Sequence, residues 1–286
     1  MRFFAFLRYN ADMNILEGKT VSANILADLK EKIAKEKKAP GLAVILVGQN
    51  KASEIYVGLK EKRAKEIGIN FSLFRFNENS EEEEIIQKIK DLNRDENING
   101  IIVQLPIAEK FNTQRIINEI DVKKDVDGFS VSDKSGKLEP VFPKAIIVLL
   151  ESGKKNIFGK YAVVIANSEK FGSVMQKALE KKRVKAEYIL RGDIENNLEK
   201  IKNADIVVTA VGEKKLIKGN MLKNGAMVID GGIVEENGKV LGDADFESMK
   251  NREGFISPVP GGVGPVTIAC LLENVYIAYK QQSKIL

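Results

Sequence analysis

The stretch that decides the fold is "VVIANSEKFGSVM", Val163 to Met175. An apolar run gives way to a polar turn and then to a helix start. That is the layout of a loop whose helix N-terminus holds the phosphates of a dinucleotide. The usual fingerprint has three glycines at fixed spacing, and this stretch has one, Gly172. The same alternation surrounds it. "KYAVVIA", "AEYIL", "DIVVTAV" and "AMVIDGG" read as strands with helices between them. Continuous apolar strands separated by helices predict a parallel sheet covered on both faces.

Upstream, the pattern is already running. "LAVILVG" (Leu42–Gly48), "FSLFRF" and "GIIVQLP" read as strands. "KASEIYVGLKEKRAKEIGI" reads as a helix whose Ala52, Ile55, Leu59 and Ile67 repeat at helical spacing. "SEEEEIIQKIKDL" reads as a helix capped by Ser80, with acids in its first turn, and "NTQRIINEI" as another. After the Gly/Asp/Ser-rich "DVDGFSVSDKSGK", "FPKAIIVLLESG" predicts a linking helix stopped by Gly153. "TIACLLENVYIAYKQQ" predicts a C-terminal helix. The fold expected is two α/β lobes with a cleft between, the second a Rossmann-like doubly wound parallel sheet. The domains expected are 1–150, completed by the C-terminal helix 267–286, and 151–266.

Composition narrows the chemistry. The chain has 286 residues, no histidine and one cysteine. Catalysis through histidine, His-ligated metals, Cys-cluster metals and internal disulfides are all excluded, so no metal site is expected. The acid–base groups left are Lys, Asp, Glu and Tyr, and a lysine titrates near neutrality only where burial or neighbouring cations depress its pKa. The net charge of +5, from 45 basic and 40 acidic residues, is scattered without aromatic interleaving. It reads as a lysine-rich solvated surface, not a nucleic-acid footprint. No apolar run reaches the roughly 18 residues of a membrane span. The apolar patch of "MRFFAFLRYNAD" is too short for a secretory signal. No membrane partner and a cytoplasmic location are expected.

Two clusters of residues carry candidate chemistry. Tyr56 and Lys60, at i and i+4, share a face of the helix that follows "LVG". Its start lies at the carboxyl edge of a parallel sheet, where ligands bind. Gln104 interrupts an apolar strand near that same edge, and a buried, unpartnered amide there costs roughly 1–3 kcal/mol. Asp127 sits in the "KDVDGF" loop. Each residue alone has an ordinary reading: a surface pair, a strand-end cap, a turn residue. Their convergence on one edge is what points to a site. The second cluster is "PVPGGVGPVT", Pro258 to Thr267, with three prolines and three glycines before a buried-looking helix. It reads as a stiff, shaped loop open to a ligand, or as a rigid connector.

Taken together, "SEIYVGLKEKRAKEIGI", "GIIVQLPI", "KDVDGF", "ADIVVTAVG", "GAMVIDGGI", "GDADF" and "PVPGGVGPVTIACLLENV" resemble the bifunctional methylenetetrahydrofolate dehydrogenase/methenyltetrahydrofolate cyclohydrolase family. The resemblance runs from about Ile15 to the C-terminus. Met1 to Asp12 lies outside it, as a tail or a misassigned start. It implies oxidation of 5,10-methylenetetrahydrofolate with NADP, or NAD, and hydrolysis of the methenyl product to 10-formyltetrahydrofolate, by a homodimer. It implies that 1–150 is the folate-binding catalytic domain. Lys60 matches the lysine of proton transfer, Gln104 the glutamine that tunes it, Tyr56 the tyrosine that stacks on folate, and Asp127 the partner of the pterin's amino-pyrimidine edge. Leu105, Pro106, Pro260, Gly261 and Gly262 are implied in substrate binding. Ala166, Asn167, Ser168, Arg191, Ile233, Gly264, Pro265 and Thr267 are implied in cofactor binding.

The cofactor side departs from the family. Its "GRS" is here Ala166–Asn167–Ser168, its "CHS" is Ile189–Leu190–Arg191, and its "PCTP" is Pro140–Val141–Phe142–Pro143. A glycine with positive φ, replaced by Ala166, costs on the order of 1 kcal/mol or shifts the turn. Arg191, just past the second strand, suits the 2′-phosphate of NADP, whereas Asp193 suits the 2′-hydroxyl of NAD. Phe142 is expected to crowd the nicotinamide. Two further readings stay open on these residues: a cyclohydrolase that has lost its dehydrogenase activity, and a non-catalytic folate- or partner-binding relative.

Overall fold

The computed structural model describes residues 13–129 and 138–283. The expected tail, residues 1–12, lies outside them. In chain order the elements are β1 (Met13–Ile15), α1 (Gly18–Ile33), β2 (Gly41–Val47), α2 (Lys51–Glu66), β3 (Asn70–Phe76), α3 (Glu82–Arg94), β4 (Gly100–Val103), α4 (Thr113–Asn118), α5 (Val141–Ser152), β5 (Tyr161–Ala166), α6 (Glu169–Lys181), β6 (Lys185–Leu190), α7 (Leu198–Asn203), β7 (Ile206–Ala210), β8 (Met227–Asp230), β9 (Val234–Glu236), β10 (Lys239–Leu241), β11 (Gly254–Ile256) and α8 (Val263–Ser283). They form two compact units. One is Ser22–Lys144 with the chain from Thr267 on; the other is Ala145–Val266 with the chain up to Val21.

The first unit is built on a parallel sheet of order β3-β2-β4. Every residue of β2 is buried, as a central strand covered on both faces requires. Ile45, Ile85, Ile89, Ile101 and Ile116 form its core with α3 and α4. After β2 the chain turns at Gly48, whose φ of 80° favours glycine. The Asn50 side chain then accepts from Ser53 N at 2.9 Å and opens α2. Turn and cap together start α2 at the carboxyl edge of the sheet.

Two expectations fail in this unit. The buried stripe of α2 is Ser53, Val57 and Ala64, with Ile67 beyond its end. Ile55 and Leu59 are 63% and 43% exposed. Apolar residues lie on both sides of this helix, so its period was readable and its phase was not. Ser80 does not cap α3. The cap position is Glu81, without a side-chain bond, and the acids Glu82, Glu83 and Glu84 fill the first turn, where they meet the helix dipole favourably.

The second unit carries a six-stranded, all-parallel sheet of order β1-β11-β8-β7-β5-β6. β5 lies between β6 and β7, with Ala166 opposite both Leu190 and Ala210. The chain leaves β5 to one side for β6 and returns to the other side for β7. That reversal makes the crevice beyond the end of β5 the topological switch point of a doubly wound sheet. Gly172 sits in α6 where an added Cβ would meet the Tyr188 ring of β6 at 2.6 Å. Close helix–strand packing, which the last glycine of the phosphate-loop fingerprint provides, is therefore kept.

Residues 13–21, expected in the first domain, belong to this unit instead, and Met13–Ile15 enter its sheet. β1 pairs β11 in register Met13↔Gly254, and such three-residue strands exist only through pairing between distant parts of the chain. Gly153 is not the left-handed stop of α5. Lys154 takes that conformation (φ 52°), and Gly153 is small because a Cβ there would press on Met227 and Leu16. β9 and β10 form a hairpin across Asn237–Gly238, both at positive φ, the Asn-Gly turn that suits strand twist.

Candidate active site and cofactor turn

In the first unit, Lys60 and Gln104 meet. Lys60 Nζ donates to Gln104 Oε1 at 2.8 Å. Gln104 lies just past β4 and its Nε2 donates to Leu105 O at 2.6 Å. That second bond fixes the amide so that its oxygen faces the lysine. Burial pulls the Lys60 pKa below the usual lysine range, while the Asp127 charge opposes the shift. Tyr56, one turn earlier on α2, is partly buried, which pushes its phenol upward and keeps it protonated.

Asp127 is held by its loop. The buried Asn274 of α8 donates from Nδ2 to Val126 O at 2.9 Å and Glu139 O at 3.0 Å. Val141 N donates to Asp127 O at 3.1 Å. Gly128 N donates to Asp125 Oδ1 at 2.9 Å, and Gly128 has a φ of 77°. Burial raises the Asp127 carboxyl to about 6; Lys60 lowers it and Asp125 raises it further. The site thus pairs a lysine whose charged form burial disfavours with a carboxyl that burial raises. Opposed, perturbed groups of this kind mark candidate proton-transfer sites. Leu105 and Pro106, which follow Gln104, are joined by a cis peptide bond.

In the second unit, Ala166, Asn167 and Ser168 form the turn from β5 to α6. Ala166 is fully buried and outside the left-handed region, so the backbone penalty expected for it does not arise. Ser168 caps α6, its Oγ accepting from Phe171 N at 3.3 Å. Asn167 Nδ2 donates to Val211 O, tying this turn to the one after β7. Arg191 is not free: its Nε pairs with Glu213, which holds the guanidinium charged. Ile233 stands 49% exposed past β8. The arrangement fits a nicotinamide dinucleotide. The switch-point crevice, an unstrained β5–α6 turn and the Gly172 packing are all in place.

Sequence reasoning missed two buried acids that shape this edge. The Asp243 carboxylate accepts from Thr209 Oγ1, Val211 N, Gly212 N and Glu213 N at 2.6–2.8 Å. The Asp230 carboxylate accepts from Gly232 N, Asp243 N and Ala244 N at 2.8–3.0 Å. Burial raises Asp230 to about 6 against those donors. The available signal was an acid at the end of an apolar strand, "MVID", and another inside "LGDAD".

"PVPGGVGPVT" is less of a loop than its composition predicts. α8 begins at Val263, so Gly264, Pro265 and Thr267 lie in its first two turns. A first-turn proline is tolerated because its missing N–H has no helical partner. Gly261 O accepts from Lys19 N at 3.1 Å, and a Cβ on Gly18 would collide with the Gly262 carbonyl. Close backbone approach thus explains Gly18; Gly261 has a φ of 107°, and a Cβ on Gly262 would meet the Pro258 carbonyl oxygen at 2.5 Å. Pro260 follows a cis peptide bond.

Fold and site together define a two-unit α/β chain with a lysine-centred proton site in one unit and a nucleotide-binding switch point in the other. Family models match both. The tetrahydrofolate dehydrogenase/cyclohydrolase catalytic domain spans residues 16–127, and the NAD(P)-binding domain of the same enzymes spans residues 140–283. The chain is 42% identical to the bifunctional protein FolD of Vesicomyosocius okutanii, over 94% of this chain and 99% of the relative. It is 41% identical to that of Helicobacter pylori, over 96% and 98%. The solved FolD structure from Campylobacter jejuni superposes with a TM-score of 0.89 at 37% identity, covering 94% of this chain and 99% of that one. The chain belongs to the tetrahydrofolate dehydrogenase/cyclohydrolase family.

Proposed function

We propose that this chain oxidises 5,10-methylenetetrahydrofolate with NADP and hydrolyses the methenyl product to 10-formyltetrahydrofolate. The observation that carries the reading is the Lys60 Nζ–Gln104 Oε1 bond of 2.8 Å beside Asp127. It is supported by the bifunctional names of the relatives and by the Trypanosoma brucei FolD structure solved with NADP and an inhibitor, which is similar at a TM-score of 0.89 and 27% identity. NADP, when bound at the β5–α6 turn, supplies the hydride acceptor. Ser168 and the first N–H groups of α6 would hold its phosphates, with Ala166, Asn167, Ile233, Gly264, Pro265 and Thr267 as further contacts.

In hydrolysis, the Lys60 amine takes a proton from the attacking water and returns one to the departing folate nitrogen. Gln104 anchors one Lys60 N–H, which restricts rotation of the amine. Ionised Asp127 accepts from the donor-rich edge of the pterin. Tyr56 supplies an aromatic face for it to stack on. Leu105 and Pro106 are the remaining substrate contacts in this unit. The same reading carries a homodimer and a cytoplasmic location, which sedimentation and cell fractionation test. Among the described residues no helix is long and apolar enough to cross a membrane.

The test is Lys60→Met, assayed separately for methenyl hydrolysis and for NADP reduction, with thermal melting as the folding control. Positioned acid–base groups supply about 10²–10⁴-fold, so hydrolysis is expected to fall at least about a hundredfold with the melting temperature kept. Retention of more than about a tenth of the enzyme-catalysed rate would remove Lys60 from the chemistry.

A further inference from the structure

Arg191 follows β6 and Glu213 follows β7, the two strands that flank β5. Neighbouring strands lie about 4.8 Å apart. Their ion pair therefore spans the carboxyl end of β5, over the Ala166–Asn167–Ser168 turn. The Glu213 end is fixed, because Asp243 holds the N–H groups of Val211, Gly212 and Glu213 at 2.7–2.8 Å. The side chains stay 58% and 38% exposed, and exposed pairs add little to folding. This one instead sits where an adenosine ribose is read in a doubly wound sheet.

We propose that Glu213 is a specificity-determining residue for the cofactor: by occupying the Arg191 guanidinium, it sets this chain against the 2′-phosphate of NADP relative to NAD. The proposal rests on the reading that this unit binds a nicotinamide dinucleotide. A 2′-phosphate that uses Arg191 must displace the Glu213 carboxylate or lie beside it as a like charge. A 2′-hydroxyl carries no charge and meets no such opposition. Arg191, read from sequence as a ready phosphate ligand, is a ligand already engaged.

The test compares wild type, Glu213→Gln, Arg191→Ala and the double variant. NADP and NAD binding are titrated by calorimetry at low and at 0.5 M salt. Glu213→Gln is expected to tighten NADP about three- to fivefold at low salt, the upper part of the scale of an exposed charge pair. NAD should stay within about twofold, as no charge is read there. The gain should shrink at high salt, where the Debye length falls to a few ångströms. It should vanish in the Arg191→Ala background. A gain that persists without Arg191, an equal gain for NAD, or no gain overturns the proposal while leaving cofactor binding intact. Failure of all four proteins to bind either cofactor at about millimolar concentration, roughly 4 kcal/mol, overturns the cofactor reading itself, and the proposal with it.

Discussion

Replacing Asp243 by asparagine removes one of two carboxylate oxygens from a site with four donors. Oδ1 accepts from Gly212 N and Glu213 N; Oδ2 accepts from Val211 N and from the Thr209 hydroxyl. Asp243 and Thr209 are both 0% exposed, so water does not take over. In Asp243→Asn the amide oxygen can serve the Gly212 and Glu213 pair. Its NH₂ then faces the other two donors. The Thr209 hydroxyl can turn and accept, but Val211 N–H cannot. One bare buried donor costs about 1–3 kcal/mol, and the surviving bonds lose their charge assistance. Relief from burying a carboxylate offsets part of this. A net loss of about 2–3 kcal/mol corresponds to a 30- to 150-fold change at 1.36 kcal/mol per tenfold. Native-state hydrogen exchange at Val211, Gly212 and Glu213 reads it locally, without assuming that two units unfold together. Protection should fall by that factor, and further in Asp243→Leu, which leaves every donor bare. A change below about threefold, or a leucine variant as protected as the asparagine one, would refute the reasoning.

Three more expectations follow from the structure. Asp127 ionises near 6 in the folded chain against a usual 3.8, so affinity for a folate analogue should rise with pH between about 5 and 7. Calorimetry should show that rise disappear in Asp127→Asn. The same shift makes the unfolded chain hold fewer protons between about 4 and 6, so stability from this group is full below 3.8 and is lost as pH rises through 6. Denaturation of Asp127→Asn across that window should show a flatter pH profile than wild type; an unchanged slope would assign the trend elsewhere. Gly172→Ala drives a methyl into the Tyr188 ring. Overpacking of about 1–3 kcal/mol against a helix-propensity gain of about 1 leaves a small net loss. Adding Tyr188→Leu should reverse that loss in urea titrations, and a Gly172→Ala chain as stable as wild type would show that the ring simply moves.

What the sequence made legible was whatever has a local cause. "YAVVIA", "IVVTA" and "MVID" are buried strands because both faces of their sheet are covered. The apolar runs alone predict them. Tyr56 and Lys60 share a face because i and i+4 do on any helix. The Lys60–Gln104 bond needed only the knowledge that both stand at one sheet edge. Features with distant causes stayed hidden. β1 exists because Gly254–Ile256 offers it an edge some 240 residues away. Gly18 is a glycine because the carbonyl of Gly262, far along the chain, lies where its Cβ would be. The phase of α2 is set by which side meets β3, not by its own residues. Asp243 is readable only when four donors from another loop are seen converging on it.

The cofactor turn shows the same division within a few residues. From sequence, Ala166 in place of glycine was a backbone problem, and that was one motive for a chain without dehydrogenase activity. Ala166 is instead the last residue of β5, paired on both sides and unstrained. A Cβ is therefore no obstacle to the turn. Gly172 still does the packing work of the fingerprint's last glycine. The scaffold for a dinucleotide thus survives the loss of two glycines. What has changed is the charge around it: no arginine within the turn, Asn167 donating across to Val211, and Arg191 held by Glu213. Those changes cluster around the β5–α6 turn, and with Glu213 acting on Arg191 as proposed above, their consequence is a choice between NADP and NAD.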